Sequence, residues 1–69
     1  MMIIEIGIVA GEIWHFLDQH GEVDLKDLTK SLDRSPENIL MSLGWLAREG
    51  HVILIQSQDS YRISLRKDA

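Results

Sequence analysis

Asp33-Arg34-Ser35-Pro36-Glu37-Asn38-Ile39-Leu40, followed a little later by Arg48-Glu49-Gly50-His51-Val52-Ile53-Leu54-Ile55, decides the fold. Ser35 is a residue type whose side-chain oxygen can accept a first-turn N–H. Pro36 suits the first helical position, where its missing N–H is not needed. The helix so begun runs to Glu49, with Ile39, Leu40, Leu43, Leu46 and Ala47 recurring every three or four residues as a buried stripe. Gly50 ends it, and Val52-Ile53-Leu54-Ile55 is a β-branched apolar run that reads as a strand.

Upstream, residues 33–35 are a turn, and Asp24 caps a second helix that has Asp27 near its positive end and a stripe of Leu25, Leu28 and Leu32. Val23 lies in a short extended piece before it. The first helix is predicted from about residue 6 to residue 20, burying Ile6, Val9, Ala10, Ile13, Phe16 and Leu17, with Gly21 as its C-terminal cap. Residues 1–5 read as an N-terminal arm. The isoleucine-rich residues 2–8 also admit a strand start, although their period fits helix better. Downstream, Gln56-Ser57-Gln58-Asp59-Ser60 is a polar hairpin loop, Tyr61, Ile63 and Leu65 alternate with polar residues, and residues 66–69 form a tail. The prediction is an α+β winged helix-turn-helix, a single domain over residues 1–69. It has three helices, a short strand between the first two, and a β-hairpin wing. A generic small α+β domain has the same element order; the short turn before a capped third helix and the direct glycine-to-strand passage favour the winged helix.

A chain of 69 residues without cysteine has neither disulfides nor thiolate metal sites, and gains burial readily by self-association. The apolar start Met1-Met2-Ile3-Ile4 has no positive charge before it and meets Glu5, so a targeting segment or membrane span is not expected. The expectation is a soluble, cytoplasmic protein. Eleven acidic against seven basic residues give a net charge of −4, which works against phosphate binding unless a local basic patch opposes it.

Ile6-Gly7, Ala10-Gly11-Glu12-Ile13-Trp14, Leu17 and Gly21 resemble the opening of a family of small uncharacterised prokaryotic winged helix-turn-helix proteins. Leu43-Gly44-Trp45-Leu46-Ala47-Arg48-Glu49 resembles that family's third-helix motif more specifically. The resemblance covers residues 6–65, the wing in pattern only. The family is a domain of unknown function, so the resemblance implies a fold and no activity. It also implies stand-alone domains, some of which pair.

Signals for chemistry are few. His15, His20 and His51 have no second ligand at a metal spacing. His15 and Asp18, one turn apart, read more simply as a solvated pair, and His20 as a favourable charge at a helix C-terminus. No Ser-His-Asp order is interpretable in so short a chain, and no phosphate-cradling loop surrounds Gly7 and Gly11. The sequence is read as that of a non-enzyme with no cofactor and no metal.

Two binding readings remain. As a DNA reader, the third helix turns Glu37, Met41, Gly44, Trp45 and Arg48 outward, flanked by Asn38, Ser42 and Glu49. That face carries one cation, and Glu37 stands at the end that usually meets phosphate. Arg34, Arg48 and Arg62 form the candidate nucleic-acid patch if the fold gathers them; isolated solvated charges are the simpler reading. As a protein contact, Met41 and Trp45 are a turn apart and point away from the core stripe. Ile4, Ile8, Gly11 and His15 line the back of the first helix, with Trp14 at the edge of that surface. Either tryptophan alone is also explained as core. Together, Ile4, Ile8, Gly11, Trp14, Met41 and Trp45 favour a partner surface, first of all for a second copy of the chain, with another protein as a further possibility. The leading expectation is a protein-contact module acting as a homodimer; the alternative is a DNA-binding transcriptional regulator using the third helix and wing.

Overall fold

Two side-chain caps set the middle of the chain. Asp24 Oδ1 accepts the Lys26 N–H at 2.8 Å, and Ser35 Oγ accepts the Asn38 N–H at 3.1 Å. In the computed structural model, which describes residues 2–67, these caps begin α2 (Leu25–Ser31) and α3 (Pro36–Arg48). Before them come α1 (Met2–His20) and β1 (Val23–Asp24); after them come β2 (Val52–Gln56) and β3 (Tyr61–Leu65). Met1 of the expected arm and Asp68 and Ala69 of the expected tail lie outside the described residues.

Both helix-ending glycines adopt the left-handed backbone that a glycine takes without steric cost. Gly21 has φ 74°, and its N–H donates to the Leu17 carbonyl at 2.8 Å. Gly50 has φ 79°, and α3 closes with Gly50 N–H to Ala47 O and His51 N–H to Leu46 O, the Schellman pair. That closure aims the chain directly into β2.

The sheet order is β1-β3-β2, antiparallel throughout, with Val23 opposite Ile63 and Leu54 also opposite Ile63. Ile63 thus stands at the middle of the sheet and is fully buried. Around it pack Val9, Ala10, Ile13 and Leu17 of α1, Leu28 of α2, Ile39, Leu43 and Leu46 of α3, and Val52. Phe16, Val23, Leu25, Leu32, Ala47 and Leu65 close the margins.

Two sequence expectations are corrected. The first helix starts at Met2 rather than near residue 6, so residues 2–5 are its first turn and not an arm. Nothing among them breaks a helix, and Glu5 sits in the first turn, where a carboxylate suits the dipole. Leu40, expected in the core stripe, is 53% exposed, while Ser42, expected on the outer flank, is fully buried. The buried arc of α3 is therefore rotated toward α1, against which it makes its largest packing surface. Of the apolar run in the wing only Val52 is buried; Ile53, Leu54 and Ile55 are all exposed.

The Ser42 hydroxyl has no hydrogen-bond partner among the described residues. A buried hydroxyl without a partner costs on the order of 1–3 kcal/mol. Ser42→Ala is therefore expected to stabilise the domain by about 1 kcal/mol in urea unfolding. A loss of stability would mean that the hydroxyl is satisfied.

Candidate functional site

The helix packing of α1 on α3 leaves a groove on the outer side of the molecule. Gly7, Ala10 and Gly11 form its α1 side, Trp45 and Leu46 its α3 side, and Trp14 and His51 also line it. Its volume is about 280 Å³, too open and shallow to be an enclosed ligand cavity. Toward the start of α1 it runs on past Ile3 and Ile6, still against Trp45. The Trp45 and His51 rings lie 6.3 Å apart, tilted by 34°, and Trp14 meets His15 edge-on at 5.6 Å.

Gly7, Gly11 and Gly44 are mid-helix glycines, each about 0.5–1 kcal/mol less favourable than alanine in such a position. A Cβ placed on any of them meets nothing within 4 Å. Packing within one chain therefore gives no reason for glycine at these positions.

Of the protein-contact residues read from the sequence, the fold brings Gly11, Trp14 and Trp45 together around the groove. Ile4 and Ile8 lie on the outward face of α1, 62% and 53% exposed. Met41, one turn before Trp45, is exposed on α3. Sequence reasoning missed Ile3 on the same surface, and Leu40 on the far flank of α3. Ile3 was hidden inside the expected arm.

The three arginines are placed differently. Arg34 donates to Glu12 of α1 through Nε (2.9 Å) and Nη2 (2.6 Å), a two-pronged ion pair. Arg62 donates from Nε to Glu22 Oε2 at 2.9 Å. Each of these two is held to its own carboxylate. Arg48 alone of the three makes no ion pair among the described residues. His15 and Asp18 make no ion pair among the described residues either.

The hydrogen bonds from Arg34 hold the Glu12 carboxyl below its ordinary value, outweighing the opposite effect of desolvation. The Lys26 backbone N–H does the same to Asp24, helped by the Ser60 hydroxyl at 3.1 Å. A carboxyl depressed in the folded state stabilises above its unfolded value, and that contribution disappears as pH falls through the folded one. Asp24→Ala should therefore lower the urea midpoint at neutral pH, and the gap to wild type should close as pH drops below about 3.8. Asp24→Asn, which keeps the cap, should show the smaller loss. A gap that persists unchanged in acid would refute the capping account.

No group of three or more metal-binding side chains occurs among the described residues, and no helix there is long and apolar enough to cross a membrane.

Three helices, the short α2–α3 turn and a three-stranded wing sheet define a winged helix-turn-helix domain. The chain matches the family described as Winged helix-turn-helix domain (DUF2582) over residues 1–66, and it belongs to that family. It is 34% identical over 65 residues to an uncharacterised protein of Methanocaldococcus jannaschii, covering 90% of this chain and 91% of that protein. Its fold is similar to the solution NMR structure of a protein from Bacteroides thetaiotaomicron, with a TM-score of 0.81 and 28% identity. That match covers 94% of this chain and 79% of the other. Neither relative's name carries an activity.

Proposed function

We propose that this winged-helix domain is a non-enzymatic module that works through protein–protein contacts, as a homodimer joined by the outward face of α1 and the adjoining ridge of α3. The observation that carries this reading is the character of α1. It is apolar nearly all round, yet only one side of it is covered by the domain's own core. A helix of that kind is normally buried on both sides. Its carboxylates Glu5 and Glu12 are turned aside to Asn38 and Arg34, which leaves the outward face apolar from Ile3 to Trp14. Ile3, Ile4, Ile8, Trp14, Met41 and Trp45 are all substantially exposed. At on the order of 100 Å² each, they supply most of the roughly 800 Å² per partner that a stable complex buries. Gly7 and Gly11 give a second helix room to approach closely.

The fold class is one whose third helix commonly reads DNA. In this chain the outward side of that helix offers Leu40, Met41, Gly44 and Trp45, and two of the three candidate arginines are already neutralised. Apolar side chains on the reading face favour protein over phosphate as the partner.

Solution mass at micromolar concentration, at low and moderate salt, with and without random duplex DNA, tests the reading. Self-association to at least a dimer, insensitive to salt and to duplex, is expected. A monomer that binds duplex only at low salt would overturn it and put Arg48 first. Gly11→Ala adds a second readout. It should raise the stability of the dilute monomer by about 0.5–1 kcal/mol while weakening the dimer, a combination that a purely intramolecular role for Gly11 does not produce.

A further inference from the structure

The wing presents a second apolar surface, remote in sequence from α1. With strand order β1-β3-β2, β2 is an edge of the sheet. Soluble proteins usually blunt such an edge with a lysine, a proline, a bulge or a very short strand. β2 has none of these. Val52-Ile53-Leu54-Ile55-Gln56 is uncharged and free of proline and glycine, and it pairs with β3 in unbroken register over five residues.

Both faces of this edge are unfinished. On the outer face, Ile53 and Ile55 stand beside Ser64 and Arg62 and are 43% and 54% exposed. On the inner face, Leu54 and Tyr61 border a cleft of about 170 Å³ completed by Leu25, Leu40, Leu43 and Gly44. A Cβ at Gly44 would meet nothing, so the cleft is open on the α3 side as well.

We propose that β2 pairs antiparallel with β2 of a second copy about a two-fold axis at Leu54, joining two wings into one six-stranded sheet. Residues of the two copies then face each other as Ile53 with Ile55, Val52 with Gln56, and Leu54 with Leu54. A two-fold contact sets a surface against itself, so a charge at residue 54 would meet its copy directly and one at 53 or 55 would meet its copy on the diagonal. The complete neutrality of β2 is what such a contact requires. The pairing gathers four isoleucines on the outer face and brings the second Leu54 alongside the first, at the mouth of the cleft. Leu40, Ile53, Leu54, Ile55 and Tyr61, all at least 40% exposed, supply the area. The contact is closed by its symmetry, so one second copy covers the whole of the β2 edge. It is independent of the α1 surface, so a chain using both assembles beyond a dimer.

The experiment compares the wild-type chain, Ile53→Lys/Ile55→Lys and Ile8→Asp by sedimentation, with amide hydrogen exchange of residues 52–56 read in each. Both substituted sites are exposed, and helical circular dichroism reports that each variant is folded. The wild type is expected to exceed a dimer, and the wing variant to lose the β2 step, with its mass halved. The outward amides of β2 should exchange slowly in wild type and in Ile8→Asp, and at least about tenfold faster in the wing variant. A wing variant with unchanged mass and unchanged exchange overturns the strand pairing and leaves the α1 reading standing. A dimer lost only in the wing variant overturns the α1 interface and keeps the strand pairing. Should the wing variant prove unfolded, slow exchange of alternate β2 amides in the wild type, lost on dilution to monomer, still supports the pairing. Exchange that does not change with concentration overturns it.

Discussion

Leu28→Ala is expected to leave the domain barely folded at room temperature. Leu28 is completely buried and is the only buried residue of α2, a helix of seven residues. Helices shorter than about 12 residues do not persist on their own in water, so α2 exists because Leu28 docks it. Leucine-to-alanine changes at fully buried sites cost about 2–5 kcal/mol, from transfer and from the cavity left behind. A whole domain has only about 5–15 kcal/mol, and a 69-residue chain without staples sits at the lower end. The substitution thus removes between a third and nearly all of the stability. Urea unfolding followed by circular dichroism measures it, with Leu40→Ala as the internal comparison. Leu40 is half exposed, and its loss should be under about 1.5 kcal/mol. Equal losses at the two sites would contradict the placement of α2 against the core.

Ile8→Asp is expected to abolish the proposed α1 pairing without unfolding the chain. Ile8 lies on the outer side of α1, where an aspartate is fully hydrated in the monomer. In a helix-to-helix interface the same carboxylate loses its water and, across a two-fold axis, faces its own copy. Desolvating an unpaired charge costs several kcal/mol, enough to weaken association at least about 100-fold. Sedimentation over a range of concentrations reads the effect, and an unchanged melting curve at high dilution separates it from misfolding. If the pairing survives Ile8→Asp but fails in Trp45→Ala, the contact is centred on α3 instead.

Much of this architecture is written in local signals. Asp24, Ser35, Pro36, Gly21 and Gly50 act on their immediate neighbours, so the boundaries of α2 and α3 follow from residue type alone. The start of α1 is different: residues 2–5 carry no capping side chain, and an uncapped helix end gives no signal in sequence. The exchange of Leu40 for Ser42 in the buried arc depends on the direction from which α1 approaches α3. Periodicity gives the existence of a stripe more surely than its centre. The candidate surface was partly legible, because Ile4 and Ile8 oppose the core stripe whatever the packing. The fate of the arginines was not legible. Arg34 finds Glu12 22 residues away and Arg62 finds Glu22 40 residues away, and no local rule reaches that far.

The position of β3 between β1 and β2 has a consequence for the order of events during synthesis. β1 emerges well before its partner residues, Arg62 and Ile63. β2 likewise waits for β3. While the helices can begin to gather, no part of the sheet exists until β3 has left the ribosome. Only then does Ile63 enter the centre of the core. Long-range closure of this kind slows folding relative to a bundle with local contacts. It also means that the core side of α1 and the segment Val52–Gln56 stay incompletely covered until β3 has emerged. A nascent chain caught at that stage is the form most exposed to wrong partners.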